Sequence, residues 1–382
     1  MSARLLLSCG EASGDLYAGA LTRELLAIDP ALRIAGLGGP QFAAAGGRLV
    51  DDYRELSVTG LTEWIPKLPR LLAARRRLVA AAQAARPDAL VLIDFSGFNF
   101  RLAPSIKRLG VPVIYYISPQ IWASRPRRLA TIRAIADRVL VIFPFEAAIY
   151  VAGGVPVEFV GHPLIDLAKP SATREEFLTG LGLTPSAPTV AVLPGSRPNE
   201  VSRILPDLAA AARLIRRGIP AAQFVVARAP YLDDDLYGAV RADDAGARFT
   251  LVEGDTDTVL ASADVALTAS GTATVQAALH DTPMVVVYRM APLSYQLARR
   301  VVRLDSIGMV NLIAGEQIVP ELVQDAFTPE AVAREAISML TDRDRAAHIR
   351  VGLSKVRTAL GGPGASRRAA LAIMRVVSAH AG

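Results

Sequence analysis

Short apolar segments of strand length recur along this chain, and segments with helical periodicity separate them. In the first half these runs are Arg4–Ser8, Ile34–Leu37, Ala89–Asp94, Val113–Ile117 and Val139–Phe143. After the first run, one helical face is formed by Leu16, Ala20, Leu21, Leu25 and Ile28. Short buried strands that alternate with helices predict a parallel, doubly wound α/β sheet.

A second series of the same kind occupies the other half. Its runs are Thr189–Leu193, Phe224–Ala227, Arg248–Val252, Val265–Leu267 and Met284–Val287. The stretch Lys169–Pro188 between the two series is rich in Pro, Thr, Ser and Gly, which indicates a linker with a short helix. We therefore expect two Rossmann-like domains, residues 1–168 and 169–345, that face a central cleft at the carboxyl ends of their strands. Residues 346–382 are expected to form C-terminal helices that pack back or are exchanged in a dimer.

Positive charge is concentrated in one region of the first half. The net charge is +6, and the segment from Trp64 to Arg133 holds 13 Lys or Arg against two acids. Such a field suits a membrane surface, nucleic acid or a phosphorylated substrate, although a charge run taken alone is better explained by solvated helix faces. The single Cys9 excludes an internal disulfide framework. No apolar stretch reaches the ~18 residues of a membrane span.

The loop after the first strand, Cys9–Asp15, carries two glycines and two acids. The glycines let a ligand approach the backbone before a helix that begins near Leu16. Their spacing does not match a dinucleotide-binding fingerprint, and the carboxylates would repel a pyrophosphate. Glu11 suits sugar hydroxyls or proton transfer, whereas Ser13 and Asp15 suit helix capping.

Asp94 ends an apolar central strand, where a carboxylate points towards the ligand-binding edge of the sheet. Low-dielectric surroundings would raise the pKa of a carboxyl there, as a general base requires. For Asn99, five residues on, termination of the strand is a sufficient explanation. The aromatic-rich segment Tyr115–Trp122 suits stacking on sugars or bases, or the rim of the core.

Two glycine-containing strand–helix junctions of the second half could each bind an anion. The first contains Gly195, Ser196 and Arg197, and Pro198–Glu200 opens the following helix. The second, Ala269–Thr274, joins a strand to the helix Thr272–Leu279. Exposed backbone N–H groups, a helix dipole and a planar guanidinium all favour phosphate oxygens, while plain helix caps remain the alternative.

No metal site is expected from the acidic and histidine residues. Asp233–Asp235 and Asp255–Asp257 resemble a metal-binding Asp-x-Asp motif, but both lie at helix starts, where capping explains them. His162 lies at the domain junction, and the other histidines lack partners at ligand spacing.

An apolar strip with an Arg-rich flank lies in the basic region. The strip comprises Leu61, Trp64, Ile65, Leu68, Leu71 and Leu72, and its flank includes Lys67, Arg70, Arg75, Arg76 and Arg77. This pattern suits a surface that enters anionic lipid or receives acyl chains, or alternatively a core-packing helix. Pro66 and Pro69 confine any regular helix to the part after them.

Several sequence blocks along nearly the whole length resemble the lipid-A-disaccharide synthase family. These blocks are Gly10–Asp15, Gly38–Pro40, Tyr116–Trp122, Phe143–Glu146, Gly161–Pro163, Leu193–Arg197, Glu200, Ala269–Ala273, Pro283–Tyr288 and Asn311–Leu312. The resemblance implies a metal-independent, inverting glycosyltransferase of the two-domain GT-B type, which needs no cofactor. It also implies a UDP-2,3-diacylglucosamine donor, a 2,3-diacylglucosamine 1-phosphate acceptor, and a position peripheral to the inner membrane on its cytoplasmic side. Nucleic acid is not an expected partner, and a homodimer is an open possibility.

Site residues follow from the same resemblance. Asp94 and Glu11 match acids that the family uses at the reaction centre, and Arg197 and Asn311 match residues near the UDP phosphates or the donor. The expected nucleotide-sugar site comprises Gly195, Ser196, Arg197, Glu200, Ser270, Gly271, Thr272, Gln276 and Asn311.

The chain departs from the family pattern at two positions. Gly97 stands where a second Asp is frequent, and Gln276 stands where a Glu suited to ribose hydroxyls is frequent. The amide of Gln276 can still bond a diol, without charge assistance. Another GT-B enzyme, such as a UDP-N-acetylglucosamine transferase or epimerase, is one alternative. A non-enzymatic membrane-surface or RNA-binding protein is another.

Overall fold

The chain forms two compact units. Met1–Asp166 and Leu360–Gly382 make up the first unit, and Leu167–Ala359 makes up the second. The structure is a computed structural model, and it describes residues 3–56, 61–119, 126–230, 232–241, 248–290 and 306–381. Side chains of residues 61–67, 126, 127 and 381 are outside the description. No described helix is long and apolar enough to cross a membrane.

The first unit is built on a seven-stranded parallel sheet with the order β3-β2-β1-β4-β5-β6-β7. Its strands are β1 (Arg4–Ser8), β2 (Arg33–Gly38), β3 (Arg48–Asp52), β4 (Ala89–Ile93), β5 (Val113–Tyr116), β6 (Arg138–Val141) and β7 (Val157–Phe159). Its helices are α1 (Ala12–Ile28), α2 (Pro40–Ala44), α3 (Leu61–Ala85), α4 (Ser96–Lys107), α5 (Pro126–Ile135), α6 (Pro144–Ala152) and α7 (Leu164–Leu167), which runs into the second unit. All of β4 is buried, because strands flank it on both sides and helices cover both faces.

The second unit has a six-stranded parallel sheet with the order β10-β9-β8-β11-β12-β13. Its strands are β8 (Thr189–Leu193), β9 (Gln223–Arg228), β10 (Phe249–Glu253), β11 (Val265–Ala269), β12 (Met284–Tyr288) and β13 (Glu321–Val323). Its helices are α8 (Arg174–Gly180), α9 (Pro198–Gly218), α10 (Gly238–Arg241), α11 (Thr256–Ala261), α12 (Thr272–Leu279), α13 (Met309–Ala314), α14 (Pro329–Thr341) and α15 (Arg343–Ala359). The apolar face of α9 packs against α14 and covers the sheet.

The two expected doubly wound sheets are confirmed, and each of the ten apolar runs overlaps a strand. Three further strands were not predicted, namely β3, β7 and β13. Each lies at the edge of its sheet, has three to five residues and is mostly half-exposed. Edge strands of this kind carry charged residues and lack the apolar run that marks a buried strand.

The C-terminal segment returns to the first unit as helix α16 (Ala365–Ala381), which packs on α1. The expected start of the tail at residue 346 falls inside α15, which belongs to the second unit. The carboxylate of Asp166 accepts hydrogen bonds from the backbone N–H groups of Gly364 (2.8 Å) and Ala365 (3.1 Å) at the start of α16. Arg368 donates to the carbonyl oxygens of Val160, Gly362 and Pro363.

Candidate active site

Asp15 fixes the loops at the carboxyl edge of the first sheet. Its buried carboxylate accepts hydrogen bonds from the backbone N–H groups of Gly39 (2.7 Å), Gln41 (2.9 Å) and Phe42 (3.1 Å). The expectation that Asp15 caps its own helix is therefore wrong. Helix α1 begins at Ala12, about one turn earlier than expected, and Asp15 instead caps α2.

Glu11 occupies the N-cap position of α1 in extended conformation, without a side-chain capping bond. The adjacent Gly10 lies against the ring of Phe95, since a Cβ at Gly10 would be 2.1 Å from that ring. Phe95 directly follows Asp94, and β1 and β4 are neighbours in the sheet. Glu11 and Asp94 consequently belong to two loops that are in contact at the same edge.

The backbone of Asp94 is held in the left-handed region, with a φ of 44°. Its carbonyl oxygen accepts from Asn99 Nδ2 (2.8 Å) and Tyr115 Oη (2.7 Å), and its N–H donates to the carbonyl of Ile117 (3.0 Å). Burial and then the nearby Asp94 carboxylate raise the pKa of Tyr115 well above its ordinary value. Residues held in sparsely populated backbone conformations cluster at functional sites, which makes Asp94 a candidate site residue.

Asn99 does more than terminate a strand. Its side chain is fully buried, and its Oδ1 accepts a hydrogen bond from Ser8 Oγ (2.7 Å) at the end of β1. Asn99 thus ties the Asp94 turn to the strand that leads to Glu11. Sequence reasoning missed this role because the partner lies 91 residues away.

Glu200 occupies the first expected anion site of the second unit, at the start of α9. Its carboxylate accepts from the backbone N–H of Ser196 (3.2 Å) and from Arg197 Nη1 (3.3 Å). Gly195 has a φ of +118°, and a Cβ there would lie 2.6 Å from Glu200 Oε2. An anion at this helix start would meet a carboxylate, so we interpret Glu200 as holding Arg197 in place rather than as a direct phosphate ligand.

The second junction, at the start of α12, presents an open helix N-terminus. The N-cap residue Gly271 has a φ of 155° and offers no side-chain acceptor. Gly271 and Thr272 are exposed, and Ser270 Oγ donates to the carbonyl of Ile307 (3.1 Å), which anchors the loop. Backbone N–H groups of the first helical turn and the helix dipole favour an anion here.

Asn311 is committed to the protein itself. Its Nδ2 donates to the Val319 carbonyl (2.9 Å) and to Glu321 Oε1 (2.6 Å), and its Oδ1 accepts from the N–H groups of Ile318 and Val319. An amide side chain has two donors and two acceptor positions, so its hydrogen-bonding capacity is used up. Asn311 therefore orders the segment that holds the Ser270 loop, and its place near the donor stays a prediction.

No group of three or more His, Cys, Asp or Glu residues suited to a metal ion occurs in the part of the chain that the structure describes. Asp255 caps α11, as expected, by accepting from the Thr258 N–H (3.3 Å). Asp234 pairs with Arg228 and Arg241. Asp257 is not a cap: its Oδ1 accepts from Gln276 Nε2 (3.1 Å) and contacts His280 Nε2 (3.0 Å).

Comparison with known proteins identifies the family. A family model described as lipid-A-disaccharide synthetase matches residues 5–376. Lipid-A-disaccharide synthases from Syntrophus aciditrophicus and Anaeromyxobacter dehalogenans are each 42% identical to this chain over 98% of its length and 97% of theirs. The chain belongs to the lipid-A-disaccharide synthase family. It is a glycosyltransferase of lipid A biosynthesis, and the non-enzymatic alternative is wrong.

Solved structures show the same fold. UDP-N-acetylglucosamine 2-epimerase from Neisseria meningitidis, bound to UDP-GlcNAc, gives a TM-score of 0.70 at 10% identity over 98% of this chain and all of that one. The calicheamicin glycosyltransferase CalG4 gives 0.61 at 17% identity over 99% and 98%. These likenesses confirm the GT-B fold of this lipid-A-disaccharide synthase family member.

The two departures from the family pattern, Gly97 and Gln276, lie on helices α4 and α12. Gly97, in the first turn of α4, is exposed, and a Cβ there would meet no atom within 4 Å. The family's frequent Asp would therefore fit without rearrangement. Gln276 lies in the second turn of α12, half-buried, with its amide nitrogen bonded to Asp257.

Helix α3 begins at Leu61 and continues through Pro66 and Pro69, so the expectation that these prolines confine the helix to the part after them is wrong. The structure describes only some side chains of the apolar strip in this helix. The side chains of Trp64 and Ile65, and the loop that contains Trp122, lie outside the described residues. Leu68 is half-buried, Leu71 is buried and Leu72 is 41% exposed. In the consecutive run Arg75–Arg77, Arg75 donates to Ser105 Oγ (3.0 Å). Arg77 forms an ion pair with Asp51 (2.5 Å), and Arg76 is exposed.

Proposed function

We propose that this enzyme joins UDP-2,3-diacylglucosamine to 2,3-diacylglucosamine 1-phosphate with inversion and without a metal, and releases UDP. Family membership supports the reaction class. The observation that carries the mechanism is the hydrogen-bonded, left-handed turn that presents Asp94 beside the Glu11 loop. An inverting transfer needs a carboxylate of this kind at the acceptor hydroxyl.

In the proposed reaction, the acceptor hydroxyl oxygen attacks the anomeric carbon of the donor. The bond between that carbon and the β-phosphate oxygen breaks on the opposite face, and its electron pair leaves with UDP. Asp94 takes the hydroxyl proton, and Glu11 orients sugar hydroxyls at the same edge of the sheet. The fixed backbone at Asp94 means that no reorganisation of this turn is needed during reaction.

We propose that the second unit binds the nucleotide of the donor at the start of α12. The uncapped N-terminus at Gly271 and Thr272 would stabilise the charge that develops on the departing pyrophosphate. Arg197, held by Glu200, would add a planar cation to the same task. Gln276, one turn further along α12, would face the ribose. UDP-bound structures of similar fold support this choice of nucleotide.

We further propose that the enzyme binds peripherally to the cytoplasmic face of the inner membrane. Helix α3 would make the contact with its anionic lipids. The exposed Leu72 and the exposed Arg70 and Arg76 support this arrangement, because an apolar and cationic face suits anionic lipid headgroups. The same surface would place the enzyme where acylated substrates are found.

Product analysis with purified enzyme tests the proposal. We expect disaccharide and UDP in equal amounts from the acylated donor and acceptor. NMR should show that the new glycosidic bond has the anomeric configuration opposite to that of the donor. The reaction rate should be the same with and without EDTA. UDP-N-acetylglucosamine serves as the control substrate for epimerase activity. Retention of configuration, loss of rate in EDTA, or turnover of the control substrate alone would contradict the proposal.

A further inference from the structure

Asp257 links two side chains of helix α12 from the neighbouring helix α11. Its Oδ1 accepts a hydrogen bond from Gln276 Nε2 (3.1 Å) and lies 3.0 Å from His280 Nε2. Gln276 and His280 are four residues apart, so both lie on the same face of α12. The His280 side chain is only 8% exposed and that of Asp257 is 21% exposed, so the contacts are largely shielded from water.

This contact determines which atom the Gln276 amide can offer to a ligand. A primary amide has one end that donates and one end that accepts. A carboxylate only accepts, so the NH2 group of Gln276 must turn towards Asp257, and the carbonyl oxygen Oε1 turns away from it. Among the described residues, no hydrogen bond to Oε1 is found. Gln276 is therefore set to act as an acceptor, as a carboxylate at this position would.

The position of Gln276 fits a ribose if the phosphates lie at the start of α12. Gln276 is four residues beyond Thr272, which corresponds to about 6 Å along the helix axis. Side chains on a helix lean towards its N-terminus, which brings Oε1 closer to the phosphate position. Ribose hydroxyls of a nucleoside diphosphate lie about one helical turn from its pyrophosphate, and they can donate hydrogen bonds to Oε1.

We propose that Asp257 is a positioning residue for ribose recognition, acting through the Gln276 amide, with His280 holding the same carboxylate oxygen. The proposal rests on the proposed binding of UDP to the second unit. Asp257 thereby compensates for the absence of a carboxylate at position 276. It does not touch the nucleotide itself.

Calorimetry with UDP and 2′-deoxy-UDP tests the proposal on the whole protein. For the wild type we expect 2′-deoxy-UDP to bind about 3- to 10-fold more weakly than UDP, the range for one hydrogen bond. In Asp257→Ala the freed amide can rotate, and the two ligands should bind within about twofold of each other. Asp255→Ala is the matched control: Asp255 starts the same helix but bonds Ser171 and Thr258, so discrimination should persist.

The Gln276→Ala background separates an indirect role from a direct one. If Asp257 acts only through Gln276, Gln276→Ala and the double variant with Asp257→Ala should show the same ratio of affinities. Equal discrimination in wild type and Asp257→Ala, or a further loss in the double variant, overturns the proposal. Absence of UDP binding to the wild type would instead overturn the proposed function, so the two failures are distinguishable.

Discussion

At the scale of single residues, the proposed mechanism requires the backbone to hold Asp94 firmly in place. We predict that Asp94→Asn lowers kcat by about 10²- to 10⁴-fold and leaves UDP affinity almost unchanged. Asn tolerates the left-handed region, so the turn with its backbone hydrogen bonds should persist. Steady-state kinetics and calorimetry measure the two effects. A folded Asp94→Asn enzyme within tenfold of wild-type turnover would shift the role of base to Glu11, which Glu11→Gln then tests.

Arg197 gives a second test at this scale. Because a charge-assisted hydrogen bond contributes about 1.5–3 kcal/mol, Arg197→Ala should weaken UDP binding by roughly 10- to 150-fold. Arg217→Ala is a matched control, since Arg217 lies exposed at the opposite end of the same helix α9. Calorimetry compares the two variants. Unchanged UDP affinity in a folded Arg197→Ala variant would remove Arg197 from the nucleotide site.

Buried His162 makes the stability of the first unit sensitive to acid. Burial lowers the pKa of His162 from 6.5 to about 3, and its Nδ1 accepts from the Leu164 N–H (3.2 Å). Between pH 6.5 and 3 the unfolded chain binds a proton that the folded chain does not. Above pH 6.5, His162 therefore does not reduce the free energy of unfolding. Below pH 6.5, the free energy of unfolding falls as the pH drops.

We predict that His162→Asn flattens this pH dependence. Each pH unit below 6.5 should cost the wild type about 1.4 kcal/mol through this residue. Asn keeps an acceptor for the Leu164 N–H but does not titrate. Urea denaturation at several pH values from 7 to 4 measures the slope, and His348→Asn, at an exposed site, is the control that should keep it. Parallel slopes for wild type and His162→Asn would refute the assignment.

At the scale of elements, docking of α16 depends on a cap contributed from a distant part of the chain. Asp166→Ala should lower the free energy of unfolding by about 1–2 kcal/mol, because two N–H groups at the start of α16 lose their acceptor. Glu158→Ala, which removes the surface ion pairs with Arg375 and Arg138, should cost less than about 1 kcal/mol. Urea titration compares them, and equal losses would contradict a capping role for Asp166.

Elements with a strong local pattern could be predicted from sequence, and those defined by distant partners could not. Most strands appear as apolar runs, and the edge strand β10 is one of them. The edge strands β3, β7 and β13 do not, because they combine charged residues with a length of three to five residues. The loops of Glu11 and Asp94 were recognised because each follows a buried strand. The roles of Asp15, Asn311 and Asp257 were not, because sequence spacing gives no sign of which backbone or side chain a buried polar group will meet.

At the scale of the whole molecule, the basic region should govern contact with lipid. We predict salt-sensitive flotation with anionic vesicles, and a reduction when Trp64→Ser and Ile65→Ser are combined. Arg76→Gln should also reduce flotation, because Arg76 is exposed, whereas Arg217→Gln in the second unit should not. Electrostatic attraction to anionic lipid contributes about 1 kcal/mol per arginine near the surface. Equal flotation of all variants would count against a membrane role for α3.

The crossing of the chain between its units at Asp166 and again at Leu360 has a consequence for biosynthesis. Residues 167–359 are contiguous, so every residue of the second unit precedes α16 in the order of synthesis. The first unit, although its synthesis starts earlier, must wait with the face of α1 uncovered until residues 365–381 emerge. The usual N-to-C order of folding is therefore reversed for the final step: the half that carries Asp94 is the last to be closed.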